Sequence, residues 1–325
     1  KSLLNFHMLL GDGDFVGDRS DPHIFAPEVL FESLSRADVG EKDEATLFKK
    51  FDSVTRVYRC CAPAQREIIA DITKQMAKGM ADYIDRDLSD KGTNDIQDYC
   101  TYCHYVAGLV GEGLSRLWAT ASDSGLPQDT IDRLSSERGL RTLSSDMGLF
   151  LQKTNIIRDY LEDIVDKRAF WPQDVWGLYV DQLGDMKESD NLPEAMACLS
   201  HLICDALEHV PSSLEYLRLL AVGNAQVLRF CAIPQVMAIA TLLELYGNPL
   251  VFQGVVKISK LTAARIVVET GTLPSIKAWF NRSCKELRVR MNKWKNDKSL
   301  YRADKSDAIY NRTAQLLDKI EAICQ

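Results

Sequence analysis

The chain has 325 residues, 46% apolar and 26% charged, proportions that suit a globular protein with a large core and exclude intrinsic disorder. Lys and Arg number 39 against 46 Asp and Glu, a net charge of −7 that argues against a nucleic-acid partner held by general charge. Nine scattered cysteines, an odd number, point to a reducing compartment rather than a disulfide framework.

Residues 1–43 read as irregular or loop-rich, with a Gly/Asp-rich stretch at 11–22 and a charged turn at 40–44. The chain opens at Lys1 without the pattern of a signal peptide, and no run of about 18 apolar residues suggests a membrane span. Pro63 suits the first turn of a helix that carries Ile68, Ile69, Ile72, Met76, Met80 and Ile84. A second helix is expected over 95–121, then a polar surface loop over 122–138, then a third helix over 143–165. Further helices are expected over 192–208, 214–230, 235–246, 261–269, 276–294 and 305–323. Alternating strand patterns and hairpin signals are nearly absent, so the fold class is all-α.

Three stretches carry candidate chemistry. In the third helix, Gln152, Asn155, Asp159, Glu162 and Asp163 fall within an arc of about 100°, with Arg158 at its margin. One reading is a solvated face. The other is a metal platform, because grouped carboxylates repel and a hard divalent cation offsets that repulsion. Mg²⁺ is typically held by one or two carboxylates plus substrate phosphates, and Arg158 suits a phosphate oxygen. In the second helix, Cys100-x-x-Cys103 with His104 lacks the second ligand pair that a zinc site needs. Gly108 and Gly111 in the same helix suggest close packing or room for a ligand, and Tyr102 and Tyr105 read either as core or as site aromatics. The third stretch, residues 230–241, reads as a buried helix with Pro234 in its first turn.

Together these stretches resemble the squalene/phytoene synthase family of head-to-head trans-prenyltransferases. The resemblance rests on YCHYVAGLVG at 102–111, MGLFLQKTNIIRDYLED at 147–163, FWPQ at 170–173, FCAIPQVMAIATL at 230–242 and VKI at 256–258. The fourth block favours the squalene-forming branch over the carotenoid branch. The resemblance implies one all-α isoprenoid-synthase domain over 1–325, a helical bundle around a central cavity. It implies head-to-head condensation of two farnesyl diphosphates through presqualene diphosphate, then reduction by NADPH to squalene. It also implies Mg²⁺, with Mn²⁺ as a substitute, at Asp159 and Asp163, and substrate diphosphate near Asn155 and Glu162. Tyr102 would assist ionisation and take a proton, and Phe230 would stabilise carbocations. Arg158, Lys257, Ser259 and Lys42 would contact NADPH or phosphate, although Ser259 stands where the family tends to have a basic residue.

The family further implies a monomer on the cytosolic face of the endoplasmic reticulum, held there by a C-terminal anchor that these 325 residues do not contain. Its first Asp-rich motif is not found either, so the chain is expected to be an N-terminally incomplete form. Two other readings stand beside this one. One is a phytoene- or dehydrosqualene-type synthase that works without NADPH. The other is a helical protein that binds prenyl diphosphate without turning it over.

Overall fold

The computed structural model describes residues 42–84 and 86–325, with the side chains of all but 42–44 and 48. Of the stretch 1–43 expected to be irregular, residues 1–41 lie outside the described residues, and 42–43 open a helix instead. The chain divides into two compact units, residues 1–85 and 86–325. Among the described residues there are helices and turns and no strand, so the architecture is all-α.

The first unit contains α1 (Lys42–Lys49), α2 (Phe51–Arg59) and α3 (Pro63–Ile84). Pro63 opens α3 as the sequence suggests, because its missing N–H is one the first turn leaves unbonded anyway.

The second unit begins with α4 (Ile96–Cys103), capped by the Asp95 side chain, which accepts from the Asp98 N–H. A π-helical turn, His104–Gly108, joins α4 to α5 (Leu109–Thr120). The expected surface loop over 122–138 is in part a helix, α6 (Gln128–Ser135). Its Thr130 and Leu134 are buried, which a polar run hides from a pattern search. A second π turn, Gly139–Ser144, leads into α7 (Ser145–Arg158), and α8 (Tyr160–Val165) follows after one residue. The later elements are α9 (Gln173–Trp176), α10 (Leu192–Leu207), α11 (Val210–Leu220), α12 (Ala225–Leu245), α13 (Lys260–Glu269), α14 (Leu273–Asn296) and α15 (Ala303–Cys324).

Two boundaries differ from expectation. Instead of helices over 214–230 and 235–246, the break falls at 221–224 and Pro234 lies inside α12. Gly223 lies in the break and packs closely, since a Cβ there would meet Leu126 Cδ2 at 2.5 Å, and the Asn224 side chain caps α12 by accepting from the Gln226 N–H. Pro234 offers no N–H to the carbonyl of Phe230, so α12 loses one rung there. By length and composition α12 is apolar enough to cross a membrane. Two thirds of its apolar stretch is nonetheless buried in the protein, with Val236, Ile239, Leu242 and Leu245 fully enclosed, so it serves here as a core helix.

α7 is the hub of this unit. It packs against α4, α5, α10, α11, α12 and both π turns. Glycines permit the close approaches: a Cβ on Gly148 would stand 2.1 Å from the Ala107 carbonyl oxygen, and one on Gly111 would stand 2.0 Å from that of Ser144. Gly108 and Gly111 are therefore packing residues first. Each enclosed Leu, Ile or Phe of this core contributes about 1.5–3 kcal/mol of hydrophobic stabilisation. A helix held on so many sides presents its remaining face in a fixed orientation.

Candidate functional site

That remaining face carries Gln152, Asn155, Asp159 and Asp163, all partly accessible. The helical bonds run on across the junction of α7 and α8. The Asp159 N–H donates to the Asn155 carbonyl at 2.9 Å, and the Asp163 N–H donates to the Asp159 carbonyl at 2.9 Å. The one-turn spacing of the two carboxylates therefore holds. Asp159 itself sits at φ −91° and ψ 12°, in the sparsely occupied bridge region where many active-site residues are found. Its carboxylate accepts two bonds from the neighbouring Arg158 guanidinium, at 2.7 and 2.6 Å.

Asp163 is the perturbed group. Burial and the nearby Asp159, Asp166 and Glu162 charges push its carboxyl up to about 7, against the opposing pull of Arg168. At neutral pH it holds a proton part of the time, which is unusual for an aspartate on an accessible face.

The chain then turns back over it. The Arg168 N–H donates to the Asp163 carbonyl at 2.8 Å, the Lys167 N–H donates to Ile164, and Lys167 takes φ 54°. This is a Schellman closure with lysine at the left-handed position that usually belongs to glycine. It returns Arg168 to the site, with its guanidinium 5.9 Å from the centroid of the Phe170 ring. Phe170 in turn stacks on Tyr102, at 4.5 Å and 17° between planes. Burial raises the Tyr102 hydroxyl to about 12 despite the Arg168 charge, so at neutral pH it is a hydrogen-bond donor and not a base. The segment carrying Phe170 is pinned by hydrogen bonds to the 88–93 loop. Ala169 donates to Leu88, Gln173 donates to Thr93, and the Thr93 hydroxyl donates to Phe170.

Asp159, Asp163, Arg158, Tyr102, Phe170 and Arg168 thus form one cluster. Arg168 was not singled out from the sequence. Its only signal there is its place two residues before Phe170. Glu162 is exposed and points its effect at Asp163 as repulsion.

Of the other expected residues, Phe230 belongs to α12, and Ser259 and Lys257 to the start of α13 and the segment before it. Phe230 is 59% exposed rather than buried, and meets Trp118 edge-on at 6.1 Å. It borders an apolar cavity of about 250 Å³, with Val106, Val110, Met147, Leu151 and Pro234 among the walls. Ser259 is the N-cap of α13, its hydroxyl accepting from the Thr262 N–H, and Lys257 is exposed on the segment before it. Lys42 lies in α1, and its side chain is outside the described residues.

The cavity and the carboxylates lie along the consecutive helices α7 and α8. Gly148 and Leu151 of α7 line the cavity, and Asp159 lies eight to eleven residues further along, or about 12–16 Å at the rise of an α-helix. A larger cavity, of about 430 Å³, contains none of these residues.

The donor set allows a test of fit for a metal. Among the described residues, no three His, Cys, Asp or Glu side chains are gathered to hold a cation by themselves. Two hard oxygen donors one turn apart, one of them kept partly protonated by burial and by its like-charged neighbours, instead suit Mg²⁺ that completes its shell with phosphate oxygens and water. For a dinucleotide the fit is thinner. Arg158 donates to Asp159 and Ser259 caps α13, whereas Lys257 is exposed on the segment before it.

An all-α chain with a carboxylate-bearing helix beside an apolar cavity has the isoprenoid-synthase type of fold. Solved structures agree. The TcSQS complex with the ligand E5700 matches with a TM-score of 0.73 at 35% identity, over 90% of this chain and 81% of that one. The TcSQS complex with BPH1237 matches at 0.74 and 32% identity, over 98% and 89%. The squalene/phytoene synthase family model matches residues 30–262, and the chain belongs to that family. Among curated relatives, squalene synthase of Mus musculus is 41% identical over 281 residues, 86% of this chain and 60% of that protein. Squalene synthase ERG9 of Candida albicans is 45% identical over 242 residues, 73% of this chain and 51% of that protein. The chain thus spans about half to three fifths of the length of these relatives.

Proposed function

We propose that this chain carries the farnesyl-diphosphate-binding and ionising face of a squalene synthase. The reaction is head-to-head condensation of two farnesyl diphosphates through presqualene diphosphate, followed by reduction to squalene with NADPH. The observation that carries this reading is the placement of the Asp159/Asp163 pair and an apolar cavity along the consecutive helices α7 and α8, whose hydrogen bonds run on across Asp159. A diphosphate headed by a long apolar chain has that polarity and that reach. The names of the relatives support the choice of substrate.

Asp159 and Asp163 would hold Mg²⁺, or Mn²⁺ in its place, and the cation neutralises charge on the departing diphosphate. The residues of the chain do the rest. Arg158, whose two donors now go to Asp159, would be able to turn them to a phosphate oxygen. Tyr102, protonated and stacked on Phe170, donates toward the leaving group, and Arg168 adds a positive charge beside it. The apolar cavity excludes water from the carbocations, and the ring of Phe230, held edge-on against Trp118, stabilises positive charge at its rim. Lys257 is the phosphate contact for NADPH. Membrane association at the cytosolic face of the endoplasmic reticulum and a monomeric state belong to the same reading.

The test is product analysis. The chain, alone and extended at its N-terminus to the length of its relatives, is incubated with farnesyl diphosphate and Mg²⁺, with and without NADPH. Squalene formed only with NADPH supports the proposal. A carotenoid-type product that forms equally without NADPH, or bound substrate that never releases diphosphate, contradicts it.

A further inference from the structure

The larger cavity, of about 430 Å³, lies between α11, the first turn of α14 and the end of α15, with Arg138 at its edge. Its walls carry four cations, Arg138, Arg218, Lys277 and Lys319, against the single carboxylate of Glu215. Such a basic pocket is unexpected in a chain of net charge −7. Glu215 is already neutralised. Arg138 holds it by two bonds of 2.7 and 3.3 Å, and Arg133 approaches at 3.5 Å. Arg218, Lys277 and Lys319 have no ion-pair partner among the described residues, and they converge from three different helices. Like charges brought together across a concave surface repel, and an anion seated among them removes that repulsion. The floor and sides add apolar surface from Pro211, Leu214, Leu273 and Ile323. The volume suits a small organic ligand.

We propose that this cavity is a second binding site, for a small diphosphate-bearing anion, independent of the Asp159/Asp163 face. The recognition differs in kind from that of the first site. Here lysine and arginine contact the phosphates directly, so no divalent cation is needed. The apolar walls can also take an organic group attached to the diphosphate, and inorganic diphosphate and a nucleoside diphosphate are the two sources of that chemistry. α11 separates the two regions, since its Tyr216 borders the apolar cavity while Glu215 and Arg218 border this one. This inference stands whether or not the proposed reaction is correct.

The experiment is calorimetric titration of the chain in EDTA with inorganic diphosphate and, separately, with ADP. Removing divalent cations silences the first site. Three proteins are compared: the unmodified chain, Arg218→Ala/Lys277→Ala, and Asp159→Asn/Asp163→Asn. Thermal melts confirm that each variant is folded, which is expected because Arg218 is exposed and Lys277 half-buried. The expected result is saturable binding to the unmodified chain and to the aspartate variant, weakened about tenfold or more in the cation variant. ADP binding more tightly than diphosphate assigns the apolar walls to an organic group, and equal affinity assigns the site to the anion alone. Absence of saturable binding to either compound, or binding that the cation variant leaves unchanged, overturns the proposal.

Discussion

Arg158 closes on the carboxylate of its own neighbour in sequence, Asp159, through two bonds of 2.7 and 2.6 Å at the junction of two helices. In this arrangement the arginine occupies the position of a counter-ion. The carboxylate is held, oriented and neutralised until another cation arrives.

The first prediction follows from that pairing. Arg158→Gln leaves Asp159 without its donors and exposes Asp163 to the full repulsion of its neighbour. The Asp163 carboxyl should then titrate above its present value of about 7, as read by carboxyl NMR shifts. Substrate affinity should fall by about tenfold as well, because the phosphate contact goes with the guanidinium.

The second concerns pH. The folded Asp163 carboxyl sits at about 7, above its unfolded value near 4. The protonated form is therefore favoured by the fold, and its contribution to stability is fully present below about pH 4 and lost as pH rises through 7. Asp163→Asn keeps the shape and never ionises. Its melting temperature should exceed that of the unmodified chain at pH 8, with a smaller difference at pH 5. Equal differences at both pH values would remove Asp163 as the source.

The third concerns the helix that carries the site. Lys153 of α7 is enclosed, with 1% of its side chain exposed, and its ammonium lies 2.7 Å from Asp205 of α10. Burial works against the charged ammonium, and the attraction and hydrogen bond of Asp205, with the attraction of Cys100 and Cys103, together outweigh it. Lys153→Met leaves a buried carboxylate without its partner and should cost about 3–5 kcal/mol in denaturant unfolding. Lys153→Met/Asp205→Leu should recover most of that loss, since an apolar pair of similar volume avoids the uncompensated charge.

The fourth uses the turn that returns Arg168 to the site. Lys167 holds φ 54° in a position suited to glycine. Lys167→Gly should stabilise the chain by up to about 1 kcal/mol, because the left-handed strain it relieves slightly exceeds the chain entropy it adds.

Much of the site was legible in the sequence because helical periodicity places Asn155, Asp159 and Asp163 on one face without further information. The elements around it were less so. Apolar spacing continues through 214–246, and only Gly223 against Leu126 reveals that the chain turns there and not at Pro234. Leu134 is fully buried within an otherwise polar run, so α6 left little trace. Arg168 joins the site through a turn that rests on a lysine in a left-handed conformation, and composition does not signal such a turn. Phe230, read as part of a buried helix, stands 59% exposed at a cavity rim. The basic cavity draws on positions 138, 218, 277 and 319, a spacing that only the fold brings together.

The central claim is that Asp159 and Asp163 together hold the cation that engages the substrate diphosphate. It is tested most directly by titrating farnesyl diphosphate into the chain with and without Mg²⁺, for the unmodified protein and for Asp159→Asn and Asp163→Asn. The account predicts that Mg²⁺ strengthens binding to the unmodified chain and that either substitution abolishes this gain. Retention of the full Mg²⁺-dependent gain in both variants would contradict it.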